Sequence, residues 1–206
     1  MPTVASPYHH GNLRQSLLDC GLQLLREQGI SGLSLRQLAE RCAVSRSAPY
    51  HHFTDKQALL AALAAQGFSS MCEQLSTYVQ DGIPSDEALL LACLDYLDFA
   101  LQQPALYELM FGSLLWRDSD PTHPDTARFQ RLGKDCFRQY VQLFAQRPGA
   151  SAAHSLRQAQ LLWASLHGLA KLALDGIFVK REDLGAIVRQ ALLVACTDDP
   201  SAESTR

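Results

Sequence analysis

Hydrogen-bond donors crowd into one short stretch of this sequence. Arg36, Ser45, Arg46, Ser47, Tyr50, His51, His52 and Lys56 fall close together. Guanidinium, hydroxyl, phenol, imidazole and ammonium groups at that density suit a partner rich in acceptors, such as phosphate oxygens and base edges. Bond-making chemistry is not visible beside them. There is no G-x-S-x-G, H-E-x-x-H, glycine-rich phosphate loop or C-x-x-C pair. Paired acids such as Asp86-Glu87 and Asp198-Asp199 fall at a helix start or in a polar tail, where capping and solvation account for them. The expectation is a non-enzyme with no cofactor and no metal. Cys20, Cys42, Cys72, Cys93, Cys136 and Cys196 are scattered through apolar-periodic segments. They read as small buried thiols in a reducing compartment, with a redox sensor as the alternative.

The elements that must position these donors read as helices almost throughout the 206 residues. Leu13, Leu17, Gly21, Leu24 and Leu25 recur at helical spacing, with Asn12 placed to cap the start and Gly29 to end the helix. Ser34-Leu-Arg-Gln37 has the form of a capping box opening a helix over 35–42. A tight turn at Ala43-Val44 follows. Ser45 is expected to cap a second short helix from Arg46 to about Phe53. Thr54-Asp-Lys-Gln57 repeats the capping box before a long helix through Leu59, Leu60, Leu63 and Phe68. Leu35, Leu38, Ala39, Val44 and Phe53 can meet inside, and small Ala39 lets two helices cross closely. The spacing predicts a helix-turn-helix, whose second helix presents Arg46 and Ser47 to base edges. Tyr50, His51 and His52 lie further along, towards phosphates. Lys56, a cation in the first turn of a helix, opposes the helix dipole unless an anion sits there. Arg41 is expected to solvate its helix.

Those residues resemble the N-terminal domain of TetR-family regulators, whose recognition helix ends in Tyr-x-His-Phe, two more residues, then Lys. Here the run reads Tyr50-His51-His52-Phe53-Thr54-Asp55-Lys56. The similarity covers about residues 8–66. It implies that Tyr50, His52 and Lys56 contact phosphate, that Arg36 touches the backbone or an adjacent base, and that Arg46 and Ser47 read bases. Two positions depart from the pattern. Ala43 stands where a turn glycine is frequent, and a left-handed backbone there would cost roughly 1 kcal/mol. Pro49 lies inside the recognition helix, near enough its start that the lost N–H should matter little.

Beyond residue 66 the pattern stays helical. Asp81-Gly-Ile-Pro-Ser85 is the clearest break, and Arg147-Pro-Gly149 is another. Helices are expected over 86–102 (with Leu90, Cys93, Leu94, Leu97 and Leu101 on one side), 104–111, 125–146, 151–175 and 182–197. Arg117–Pro124 reads as a loop. The fold class is therefore all-α, about nine helices. The expected domains are a DNA-binding head over 8–66, a helical effector-binding and dimerisation body over 67–197, and a polar tail over 198–206. Leu161 to Ala170 resembles the W-x-x-x-H-G segment of one class of TetR-family C-terminal domains. Trp163 and His167 share a helix face there as a pocket wall, or pack against a neighbouring helix. Phe99, Tyr107, Met110, Phe111, Trp116 and Phe137 are the other expected lining residues of an apolar or aromatic effector site. Leu184, Ile187, Val188, Ala191, Leu192 and Ala195 form an apolar stripe expected at a dimer interface.

Charge follows the same division. Residues 1–66 hold six Lys/Arg against four Asp/Glu, and the remainder holds twelve against seventeen. A cationic head on an acidic body suits a protein that offers one end to phosphates. Asp95 and Asp98 are expected to face solvent. No run is long and apolar enough for a membrane span, and a bacterial cytoplasmic location is expected. The function read from all this is a sequence-specific transcriptional regulator: a homodimeric repressor on a palindromic double-stranded DNA operator, released by a small molecule. The rival readings are a helical small-molecule-binding or protein-interaction module, and a non-specific DNA-architectural protein.

Overall fold

The computed structural model describes residues 13–80, 85–147, 150–177 and 179–196. The expected Asn12 cap, most of the 81–85 break, Pro148-Gly149 and the tail from Asp198 lie outside them. Among the described residues there are nine α-helices and two short 3-10 turns, with no strand. The helices are α1 (Leu13–Gly32), α2 (Leu35–Arg41), α3 (Lys56–Gln80), α4 (Ser85–Gln102), α5 (Pro104–Phe111), α6 (Ser113–Arg117), α7 (Pro124–Ala145), α8 (Ala152–Asp175) and α9 (Leu184–Ala195). The 3-10 turns are Ala48–His51 and Arg181–Asp183. No helix is long and apolar enough to cross a membrane.

Most helix ends lie where local chemistry places them. Gly29 adopts φ 68 and kinks α1, and Gly176 closes α8 in the left-handed conformation at φ 67, both without a Cβ to clash. Ser151 caps α8 through the His154 N–H. Other ends differ from the sequence reading. The second capping box shifts by one residue: Asp55, rather than Thr54, accepts the Ala58 N–H at 2.8 Å and starts α3. A carboxylate at a helix N-terminus is the stronger cap because it also opposes the dipole. The expected loop after Arg117 is preceded by one extra short helix, α6.

The centre of the molecule is α3. Ala58 to Ala65 are all buried, because a run of Ala and Leu allows neighbours on every side. Its main partner is α7. The two lie side by side in the same direction: Thr54 meets His123, Phe68 lies against Gly133, and Gln146 Nε2 donates to the Val79 carbonyl. A Cβ on Gly133 would come within 2.9 Å of the Trp116 ring and 3.2 Å of Phe68, so only glycine permits this approach. On α4 the buried face is Ala88, Leu89, Ala92, Cys93, Tyr96, Leu97 and Ala100, with Leu90, Leu94 and Leu101 at its margin. Asp95 is half-buried and accepts a hydrogen bond from the Tyr78 hydroxyl, while Asp98 is exposed as expected.

The expected dimer stripe on α9 is turned inward. Leu184, Val188, Leu192 and Ala195 are buried in the chain's own core, where α9 packs on α8 and α4, and Ile187 and Ala191 are half-buried. An amphipathic helix buries its apolar face on the nearest core, and here that core belongs to the same chain. The large apolar residues α9 leaves exposed are Leu193 and Val194.

Candidate nucleic-acid interface

The head is assembled on the first turns of α3. Leu17, Leu25, Leu33, Leu38, Phe53, Leu59 and Leu63 are buried together, Val44 packs half-buried against them, and Ala39 is buried as well. Ser34 caps α2 by accepting the Gln37 N–H at 3.2 Å. The reciprocal half of the capping box is altered: the Gln37 carboxamide oxygen accepts the Ser34 hydroxyl proton (2.9 Å), and its nitrogen donates to Gln28. The turn into the recognition segment runs through Ala43 at φ 54. The left-handed geometry that glycine usually serves is therefore held by an alanine. The adjacent Cys42 and Val44 N–H groups donate to Leu38 and Ala39, which pins it there.

The recognition segment is not the α-helix expected over Arg46–Phe53. It is a 3-10 turn, Ala48–His51, preceded by a turn over residues 45–48. Pro49 supplies the reason, since it has no N–H to continue an α ladder. Three bonds span three residues, Ala48 N–H to Ser45 O (3.0 Å), Tyr50 N–H to Ser47 O (3.1 Å) and His52 N–H to Pro49 O (3.0 Å), and one α-type bond, Phe53 N–H to Pro49 O (2.9 Å), closes the segment. Ser45 does not cap a helix. Its hydroxyl lies 3.2 Å from that of Ser47, which occupies the cap position without a side-chain bond to the turn's backbone.

This tighter turn still presents the expected surface. Ser45, Arg46, Ser47, Tyr50 and His51 are exposed, Tyr50 by 57%, while Pro49 and Phe53 beneath them are buried. His52 and Lys56 are half-buried. Lys56 Nζ donates to the Ser31 carbonyl at 3.4 Å, a long bond that leaves its ammonium two further donors. Arg36 is paired with Glu40 at 3.1 Å on the exposed face of α2, a pairing weak enough to be exchanged for a phosphate. Arg41 does more than solvate its helix: its guanidinium takes Glu27 on α1 with both nitrogens and ties the two helices.

Among the described residues, four polar links join the head to the body, one of them from Arg26 Nη2 to Gln103 Oε1 at 3.0 Å. Arg14 lies over the Phe53 ring and pairs with Asp125 at 2.5 Å. Gln57 donates to the Asp118 carbonyl at 3.1 Å. His123 caps α7 by accepting the Asp125 N–H on Nδ1, which leaves Nε2 to carry the proton and donate to Thr54 Oγ1 at 3.2 Å. Sequence reasoning missed these links, because no periodicity connects residues so far apart.

The body brings four of the eight expected lining residues together at one cleft. Phe111, Trp116, Phe137 and Trp163 line an open cleft of about 440 Å³ with Phe68 and Gly133, and Lys134 and Arg138 stand at its rim. Trp163 meets Phe137 and Tyr140 edge-on, with centroids at 5.4 Å and 5.2 Å. It is thus both packed against neighbouring helices and open to the cleft. Met110 and Tyr107 are buried behind it. Phe99 lies elsewhere, beside a separate cavity of about 300 Å³ that Tyr96 and Asp95 also line. His167 ends a directed chain of hydrogen bonds. Burial pushes the Tyr107 hydroxyl up to about 12, so it stays protonated. It donates to His167 Nδ1 at 2.7 Å and accepts from Tyr96 at 2.9 Å. Desolvation, with help from Lys171, lowers the His167 pKa, which keeps the imidazole a neutral acceptor.

A rigid helix-turn-helix head on an all-helical body with an aromatic cleft defines the class, a DNA-binding transcriptional regulator. Comparison with known families makes this specific. The chain matches "Bacterial regulatory proteins, tetR family" over residues 17–63 and "Tetracyclin repressor-like, C-terminal domain" over residues 89–194. It belongs to the TetR family. It is 24% identical over 174 residues to the uncharacterized HTH-type transcriptional regulator YobS of Bacillus subtilis (strain 168), covering 84% of this chain and 85% of that protein. A shorter match, 43% over 53 residues, is to the tetracycline repressor protein class D of Escherichia coli, 26% of this chain and 24% of that repressor. Among solved structures, a protein of unknown function from Rhodococcus sp. RHA1 is 31% identical, with TM-score 0.74 and coverage of 93% of this chain and 97% of that one. SmeT, the repressor of a multidrug efflux pump of Stenotrophomonas maltophilia, shares the fold at 19% identity and TM-score 0.63, covering 88% and 87% of the two chains.

Proposed function

We propose that this chain is a cytoplasmic homodimeric repressor that reads a palindromic operator and is released by a small molecule with an aromatic or apolar body. The observation that carries the DNA-reading half is the exposed set Ser45, Arg46, Ser47, Tyr50 and His51 on a turn whose underside, Pro49 and Phe53, is locked into the core. Arg46 and Ser47 read bases, Tyr50, His51, His52 and Lys56 hold phosphates, and Arg36 exchanges Glu40 for the backbone.

The dimer rests on α8. Leu161, Ala164, Gly168 and Leu172 form an exposed face, and Leu193 and Val194 on α9 are exposed as well. A Cβ at Gly168 would touch nothing within 4 Å in the monomer, so its small size serves an approach from outside. The effector site is the cleft between Phe68, Phe111, Trp116, Phe137 and Trp163, a size in the range of ligand pockets. It adjoins the α3–α7 pair, which carries the head. A ligand that binds one pose of that pair better than the other shifts the spacing of the two heads.

The test is fluorescence anisotropy on selected palindromic DNA and on its scrambled counterpart across a salt series. This reading expects tight, salt-dependent binding to the palindrome and weak binding to the scramble. Equal affinity for both would contradict it.

A further inference from the structure

The fold brings together cysteines that no sequence spacing connects. None of the six is in a disulfide. Cys42, at the end of α2, lies beside Cys20 on α1, Cys72 on α3 beside Cys136 on α7, and Cys93 on α4 near Cys196 after α9. These pairs differ in access and in the state of their sulfurs, and one of them has the arrangement that thiol oxidation needs.

Cys72 is half-buried, whereas Cys136 is fully buried. The Cys72 Sγ–H donates to the Leu132 carbonyl at 3.6 Å, one helical turn before Cys136. That orientation leaves the Cys72 lone pairs to accept the Cys136 S–H. Close approach of the helices is secured one turn earlier, where Gly133 lets α7 lie against Phe68. The result is one sulfur within reach of solvent and a second, shielded sulfur directly behind it.

We infer that Cys72 and Cys136 form a peroxide-reactive dithiol site that closes to a disulfide between α3 and α7. The Cys72 thiolate attacks one oxygen of a hydroperoxide. The S–O bond forms, the O–O bond breaks, and the departing oxygen leaves as an alcohol or water after taking a proton. Cys136 then attacks the Cys72 sulfur, the S–S bond forms, and the hydroxyl leaves as water with the Cys136 proton. Two thiols and one hydroperoxide give one disulfide, one alcohol and one water.

The titration of the thiols agrees with this division of roles. The S–H of Cys136 donated to it lowers the Cys72 pKa against burial and against the charges of Asp135 and Glu73, while the same bond and burial raise that of Cys136. Access makes Cys72, the half-buried sulfur, the nucleophile and the buried Cys136 the resolving thiol. Cys20 and Cys42 are both half-buried, and Cys93–Cys196 divides access in the same way as Cys72–Cys136 but has no thiol whose pKa is lowered. Burial and its Cys20 partner push Cys42 up to about 12, and burial raises both Cys93 and Cys196.

The site stands apart from the effector reading, since it requires no ligand in the cleft. Because α3 starts beside the recognition turn and α7 holds Thr54 through His123, the crosslink would fix the two helices that carry the head.

The test oxidises the reduced full chain with hydrogen peroxide, alkylates the remaining thiols and maps the peptides by mass spectrometry. The expected first product is a single intrachain link between the Cys72 and Cys136 peptides, reversed by a reductant. In Cys136→Ser, dimedone should trap a sulfenic acid at Cys72, and Cys72→Ser should leave Cys136 unreacted. Circular dichroism checks the fold of each variant, with Cys136→Ala in reserve should the serine not be accommodated. The inference is overturned if Cys20–Cys42 or Cys93–Cys196 closes first. It is equally overturned if the link forms only between chains, or if Cys72 stays alkylatable while other thiols oxidise.

Discussion

Ala43 holds a left-handed backbone, φ 54, in the turn that aims the recognition segment. A Cβ in that region costs roughly 1–2 kcal/mol, and a glycine there would return part of it as unfolded-chain entropy. Ala43→Gly should therefore stabilise the head by about 1 kcal/mol, measured by urea unfolding. Lys56 is a different kind of residue. Its long bond to Ser31 is not a structural necessity, so Lys56→Ala should weaken binding to all DNA sequences alike and lower the salt slope by about one. An unchanged slope would remove Lys56 from the phosphate contacts. The Ala43 strain was legible in the sequence because it followed from a single residue type at a known turn position. The shape of the next segment was not. Pro49 was visible, but its consequence depended on whether the turn could satisfy Ser45 and Ser47 by three-residue bonds, which is a matter of tertiary fit.

At the scale of elements, the account rests on α3 and α7 lying side by side. Helical periodicity located both helices but carried no information on who meets whom. The Thr54–His123 and Arg14–Asp125 links, like the turn of α9 into its own core, belong to that missing layer. The aromatic cleft was more readable. Large rings on amphipathic helices converge readily, and Phe111, Trp116, Phe137 and Trp163 meet at one cleft, whereas Tyr107 and Met110 are buried in the core, His167 joins Tyr107, and Phe99 lines another cavity. His167 on α8, beside Tyr107 and the Phe111 ring, gives a test of the polar chain next to the cleft. Its folded pKa is depressed by desolvation and by Lys171, so folded and unfolded chains are both neutral there well above about 6.5. As pH falls below that value the unfolded chain takes up the proton first, and stability falls until the folded pKa is passed. Urea unfolding from neutral to mildly acid pH should show this loss, and His167→Gln should flatten it. A wild-type profile that the variant leaves unchanged would assign the loss to another group.

The whole molecule divides into a head that carries the donors and a body that carries the cleft, although α3 runs continuously through the boundary expected at residue 66. In the proposed function each turn reads few base pairs, so tight binding would call for a second copy. Gly168→Glu tests this without touching the monomer's packing, because the site is open for 4 Å around a Cβ. Sedimentation should show the variant as a monomer, folded and at least tenfold weaker on the operator by a rough estimate of lost bivalency. A variant that remains dimeric would place the interface elsewhere.

The most direct measurement is selection of bound sequences from a random DNA pool, run in parallel on the wild type and on Arg46→Ala. The wild type should enrich a palindrome with half-sites roughly 34–36 Å apart or a multiple of that, and Arg46→Ala should relax the preference at symmetric positions in both half-sites. Enrichment of no motif by the wild type, or the same motif with undiminished preference from Arg46→Ala, would contradict the assignment of residues 45–56 as the surface that reads DNA.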